Sequence, residues 1–127
     1  MSRLQRTEGV LYHSFIDLDG TWQTNPVTGF ISLVGTDETK DTDITLFQSE
    51  PAICFRDSAA QNFNVARRQA NGTWVIERVS DSANAGSECA IDVVEGQLVT
   101  AYSEGGRLLY GQRNAGGTWA STVVDFT

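Results

Sequence analysis

Three copies of a Gly-Thr-Trp triplet punctuate the chain, at Gly20-Thr21-Trp22, Gly72-Thr73-Trp74 and Gly117-Thr118-Trp119, with 52 and then 45 residues from one tryptophan to the next. The residues around the triplets keep one register. Val27, Val79 and Val124 each follow the Trp by five residues. Leu11, Phe63 and Leu108 precede it by eleven, and the small Ser14, Ala66 and Gly111 by eight. A period of this length that preserves large, small and branched positions repeats a structural unit, because each position must meet the same kind of neighbour. Each window reads as a strand, a tight turn and a second strand, with Asp19-Gly20, Asn71-Gly72 and Gly116-Gly117 supplying residues that tolerate positive φ at the turn.

A second hairpin fills the intervals. Ile44, Leu46, Phe47, Ala52 and Phe55 align without a gap on Ile91, Val93, Val94, Val99 and Tyr102, with turns at Ser49-Glu50-Pro51 and Glu95-Gly96-Gln97. Joined in order, the two kinds of hairpin predict four strands per unit, at 42–48, 51–56, 62–69 and 73–80, then at 89–95, 97–103, 107–113 and 118–125. Two strands at 9–17 and 21–27 come before them, so the expectation is ten strands. Units of this size are β-propeller blades, and the chain reads as a single propeller-arc domain over 1–127: a half blade at 9–27, a blade at 42–80 and a blade at 87–125. A β-sandwich is the competing all-β reading, but it does not require register-matched Trp and Val at such a period. The one helix-like stretch, Ser58 to Arg68, aligns with a strand of the other unit.

The run Pro51-Ala52-Ile53-Cys54-Phe55-Arg56-Asp57, then Phe63-Asn64-Val65-Ala66-Arg67, then Gly72-Thr73-Trp74 and Val79, resembles the repeat of bacterial propeller proteins of the sialidase-like, BNR-adjacent kind. Leu98 to Ser103, Leu108 to Arg113, Gly117 to Trp119 and Val124-Asp125 repeat it. The resemblance covers nearly the whole chain and implies fold more than activity. A true Asp-box sets its Gly three residues before the Trp, whereas here the Gly stands two before it in every copy. The arginine triad, tyrosine nucleophile and acid/base aspartate of sialidases therefore find no positions in this sequence.

Twelve glycines against two prolines suit a fold of many turns, and apolar residues rich in Val, Ile, Phe, Tyr and Trp suit pleated sheets. The formal charge is −7, and Lys40 is the single lysine. That balance argues against a nucleic-acid partner, because neutralising phosphates requires clustered cations and only Arg67 and Arg68 adjoin. No apolar run approaches the roughly 18 residues of a membrane helix, and Met1-Ser2-Arg3-Leu4-Gln5-Arg6 leads into no signal-peptide core, so a soluble chain is expected. Cys54 and Cys89 are too few for a disulfide scaffold or a zinc site. Both lie in strand-like apolar context, where two reduced buried thiols are the expectation and one bridge the alternative.

Candidate chemistry is sparse. At a fixed repeat position the three tryptophans read as packing plugs rather than sugar-stacking platforms, and Tyr12, Tyr110 and Phe126 are the other aromatic candidates. The acidic run Asp37-Glu38-Thr39-Lys40-Asp41-Thr42-Asp43 lacks the Gly and final Glu of a helical calcium loop and reads as a solvated connection. Asp17 and Asp19 beside Gly20 fit a hairpin turn. His13, the only histidine, aligns with Val65 and Tyr110, a packing position, and has no nucleophile or orienting acid marked out beside it. None of the sixteen acidic residues is singled out as half of a glycosidase pair. No catalytic, metal or cofactor residues are assigned.

Closed propellers have about four to eight blades, so two and a half leave sheet faces uncovered, and a homo-oligomer closing a ring is the expected partner arrangement. The functional expectation is a non-catalytic binding module for a carbohydrate or a protein surface, or a structural assembly unit. A sialidase-like hydrolase, or a fragment of a larger propeller, is the alternative.

Overall fold

Eleven antiparallel strands and no helix make up the described residues of the computed structural model, which are 2–7, 10–27, 42–57 and 60–126. The first sheet contains β1 (Ser2–Thr7), β2 (Val10–Ile16) and β3 (Trp22–Pro26). The second contains β4 (Asp43–Phe47), β5 (Glu50–Asp57), β6 (Asn62–Arg68) and β7 (Trp74–Ser80). The third contains β8 (Ala85–Val94), β9 (Gln97–Glu104), β10 (Arg107–Arg113) and β11 (Trp119–Phe126). Within every sheet, consecutive strands are neighbours, so each is an up-and-down meander.

One strand more is present than the sequence led us to expect. β1 pairs with β2 from Ser2↔Phe15 to Thr7↔Val10. Its sequence, SRLQRT, has one apolar residue and no alternation, so pairing with β2 rather than its own pattern makes it a strand. β8 also begins earlier than its aligned positions indicate, because the ladder with β9 shifts between Ala85 and Cys89. The acidic segment 37–41, Lys40 included, lies outside the described residues.

The triplet turns are near copies of one another. Asp17, Gln69 and Asn114 each donate a backbone N–H to the carbonyl of Thr21, Thr73 and Thr118 and accept one from Gly20, Gly72 and Gly117. Each of those glycines has φ between 81° and 88°, a left-handed conformation that side-chain-bearing residues seldom adopt. The β4–β5, β8–β9 and β9–β10 hairpins turn through Gln48-Ser49, Glu95-Gly96 and Gly105-Gly106, where both central residues have positive φ and the twist matches that of the strands.

Alternation along β5 explains the layering. Ala52 and Cys54 belong to an apolar cluster shared with the third sheet, through Ile91, Leu98, Tyr102 and Leu109. The intervening Ile53 and Phe55 join Leu11 and Val27 of the first sheet. The second sheet is thus the middle layer, buried on both faces, and its β5 shows five consecutive buried residues, Pro51 to Phe55. At the tightest point of the second interface Gly86 lies against Phe63: a Cβ built there would fall 2.2 Å from the ring, and φ is +85°.

A disulfide joins Cys54 of β5 to Cys89 of β8, with Cα atoms 6.4 Å apart, and no free cysteine remains. This corrects the expectation of two reduced thiols. Each cysteine sits at an inward position of its own sheet, and those positions face each other only because the sheets stack.

The far face of the third sheet is open. Val94, Leu108 and Val124 are exposed there, at 47%, 43% and 61% of their full surface. Their aligned partners on the second sheet, Phe47, Phe63 and Val79, pack into the interface that the third sheet covers.

Candidate functional site

A cleft of about 300 Å³ opens between the first and second sheets, lined by His13, Phe15 and Ile16 of β2, Leu46 of β4, Ser49 and Pro51 of the following hairpin, and Arg68 of β6. Its volume is at the low end for small-ligand sites. β2 delivers His13 and Phe15 to it by strand alternation, and their rings stack with centroids 5.5 Å apart. Trp74 of β7 meets the His13 ring edge-on at 5.7 Å.

His13 is buried, and its Nε2 is a buried polar atom with no hydrogen-bond partner. Burial, and secondarily the Arg68 guanidinium, hold its pKa below the usual imidazole value of 6.5, with Glu50 opposing in part. The ring is therefore neutral near pH 7. Arg68 is drawn toward Glu50 of its own sheet, Nη1 to Oε2 2.6 Å. The cleft thus combines an aromatic and aliphatic wall with a guanidinium, a hydroxyl and a neutral imidazole.

A second cleft, of about 400 Å³, lies at the opposite strand ends, lined by Arg56, Asn84, Ser87, Ser103 and Gly105-Gly106. Arg56 Nη1 donates to the carbonyl of Ala85 at 2.8 Å, and the Ser87 and Ser103 hydroxyls are 3.2 Å apart. Its polar groups are engaged with one another, so it offers a ligand fewer free partners than the first.

No family model, curated protein or solved structure matches this chain.

The residues flagged by sequence scatter. Asp17 caps its turn, its carboxylate accepting from the Asp19 and Thr21 backbone N–H groups at 2.9 and 3.0 Å and from Gln23 Nε2 at 3.0 Å. The Gln23 bond, with the Thr21 amide, lowers its pKa. Asp43 Oδ2 accepts from the Ile91 N–H at 3.0 Å, tying the acidic segment's end to the third sheet. Trp74 and Trp119 pack against the first and second interfaces, whereas Trp22 is 38% exposed. Tyr110 is half-buried, and the side chains of Tyr12 and Phe126 lie outside the described part. Among the described residues, no group of three His, Cys, Asp or Glu could hold a metal ion.

Sequence reasoning missed Glu77. This buried carboxylate accepts from Arg113 Nε and Nη2 at 2.8 and 3.0 Å, from Arg67 Nε at 2.7 Å and from Trp119 Nε1 at 3.0 Å. Burial would raise its pKa, but those donors outweigh it and hold the group below the ordinary glutamate value of 4.5. Both arginines and the tryptophan converge on this one carboxylate, with Arg113 Nη1 also reaching Gln97 Oε1 at 3.4 Å, so the cluster is a structural clamp between the second and third sheets. The adjacent Arg67-Arg68 pair and the alignment of Arg113 on Arg68 were its only traces in sequence.

Proposed function

We propose that this chain is a non-catalytic arc of β-propeller blades that joins further copies of itself to close a ring, and that it acts as a binding module through clefts between neighbouring blades. One observation carries the reading: the two four-stranded meanders stack in the same sense, with aligned residues facing aligned neighbours, and the stack stops at an apolar face that nothing in the described chain covers. A repeated, similarly oriented layer is what a propeller consists of. Repetition also multiplies a weak site, so that a ring gains avidity from clefts that one chain holds singly.

The cleft between the first and second sheets supports a small polyhydroxylated ligand, foremost a sugar. Phe15 offers a ring face, and Ser49, Arg68 and the unsatisfied His13 nitrogen offer polar partners. Sedimentation analysis tests the assembly, with a discrete multiple of the 13.8 kDa chain expected at micromolar concentration and a monomer overturning it. A glycan array probed with the assembled protein tests the ligand. Signal that falls in Phe15→Ala supports the cleft, and an array without signal removes the carbohydrate reading.

A further inference from the structure

The open face of the third sheet is the continuation of an interface already present inside the chain. On the second sheet, Phe47, Phe63 and Val79 are covered by the third sheet, whose Trp119 packs against that cluster. On the first sheet, Leu11 and Val27 are covered by the second, whose Trp74 packs in the same way. Each layer therefore offers an apolar face to the layer that follows and sends a tryptophan to the layer before it. At the two ends of the stack, the third sheet presents Val94, Leu108 and Val124, and the first sheet presents Trp22 beside Ile16, at 38% and 36% exposure.

We infer that the first sheet of a second copy seats on this open face, joining copies head to tail with Trp22 in the place that Trp74 and Trp119 take within one chain. The inference rests on the assembly reading above and adds which surfaces meet.

The pattern of charge selects the first sheet as occupant. In the second interface Glu77 receives Arg113, the strand partner of Trp119. On the third sheet the residue aligned with Glu77 is Thr122, and the one aligned with Arg67 is Gln112, so the open face has no carboxylate at that point. A copy of the third sheet seated there would bring Arg113 against Thr122, burying a cation without its anion, and the tryptophan-bearing faces of the second and third sheets are already covered within each copy. The strand partner of Trp22 is Ile16. An uncharged residue thus meets an uncharged one, and the two ends of the chain match each other better than either matches an internal layer. The contact is heterologous, with different surfaces on the two copies, the type that generates a ring where the rotation between copies closes.

Sedimentation equilibrium on four full-length proteins tests this: wild type, Thr122→Glu, Ile16→Arg and the double variant. Both positions are exposed in the chain, so the circular dichroism of the dissociated variants should stay that of the wild type, and thermal transitions of the dissociated Ile16→Arg chain control for its place at the rim of the first cleft beside Arg68. Thr122→Glu should weaken association roughly tenfold or more by burying a lone carboxylate, and Ile16→Arg likewise by burying a lone cation. The double variant recreates the Glu77–Arg113 pair between copies and should recover most of the loss. Single variants that assemble like wild type, or a double variant weaker than both, would overturn the inference while leaving the assembly reading in place. A wild-type monomer would overturn the two together.

Discussion

The two interfaces inside the chain join the same kinds of layer by different means. Between the second and third sheets, Cys54 and Cys89 form a covalent bond, Phe63 and Tyr102 bring their rings within 4.6 Å, and Glu77 gathers two arginines and a tryptophan. Between the first and second, Leu11 and Val27 meet Ile53, Phe55 and Ala66, and the aligned polar positions diverge. Asn25 stands where Glu77 stands, Phe15 where Arg67 stands, and Arg68, in the place of Arg113, holds Glu50 of its own sheet instead. One interface is clamped by a covalent bond and an ion cluster; the other has neither and leaves an unsatisfied imidazole in its cleft. A repeated framework can therefore be locked at one joint and left receptive at the next by changing a few inward side chains.

The largest test of that contrast is to unlock the second joint. The bridge closes a loop with a sequence separation of 35, and chain entropy alone assigns such a loop about 4 kcal/mol at 25 °C. Replacing both cysteines by alanine should lower the urea unfolding free energy by about that much. The difference should close in a reducing buffer, where the wild type converges on the variant. A loss below about 1 kcal/mol would mean that the Glu77 clamp and the apolar cluster hold the joint without it.

Next in size is the clamp itself. Glu77→Gln leaves Arg113 buried without its anion and should cost about 3 kcal/mol. Because the folded pKa of Glu77 lies below the unfolded value near 4.5, its contribution is present above that pH and disappears as pH falls through the lowered value. The wild type should lose stability in this acid window, and Glu77→Gln should lose less. Urea titrations at pH 7 and in acid, compared between the two proteins, measure both effects.

How far the sequence foretold this arrangement follows from which facts are local. The triplet turns were legible because a left-handed glycine is a property of a few adjacent residues, and the strands from Asp43 to Phe126 followed from alternation and alignment. β1 was not, since SRLQRT becomes a strand only by pairing. The disulfide and the Glu77 cluster were hidden for a different reason: each joins residues 35 or 36 positions apart that meet only when two sheets stack. His13 could be placed at a packing position from its alignment with Val65, but the missing partner of its Nε2 depends on the walls of the cleft, which no single strand encodes.

That histidine separates the interfaces by a smaller amount. His13→Leu removes an unsatisfied buried nitrogen at similar volume and should stabilise the protein by about 1 kcal/mol at pH 7. With a lowered folded pKa, the unfolded chain takes up a proton below about pH 6.5 before the folded one does, so the wild type loses stability as pH falls through that range. The gap between variant and wild type should widen from pH 7 to pH 5.5. A constant gap would place the effect in packing alone.

The smallest expected effect comes from importing the clamp into the first joint. Asn25 pairs across the ladder with His13 as Glu77 pairs with Val65, so Asn25→Glu puts a carboxylate on the corresponding face, within the field of Arg68. Asn25 is exposed, however, and Arg68 already has Glu50, so the gain at pH 7 should stay under about 1 kcal/mol. The sharper readout is in acid. A nearby carboxylate favours the imidazolium form of His13, raises its folded pKa toward the unfolded value and should flatten the stability loss below pH 6.5. A gain above about 2 kcal/mol would mean that one carboxylate suffices to make a clamped joint, whereas the predicted flat response means that burial of the whole cluster, more than the presence of the charge, distinguishes the closed interface from the open one.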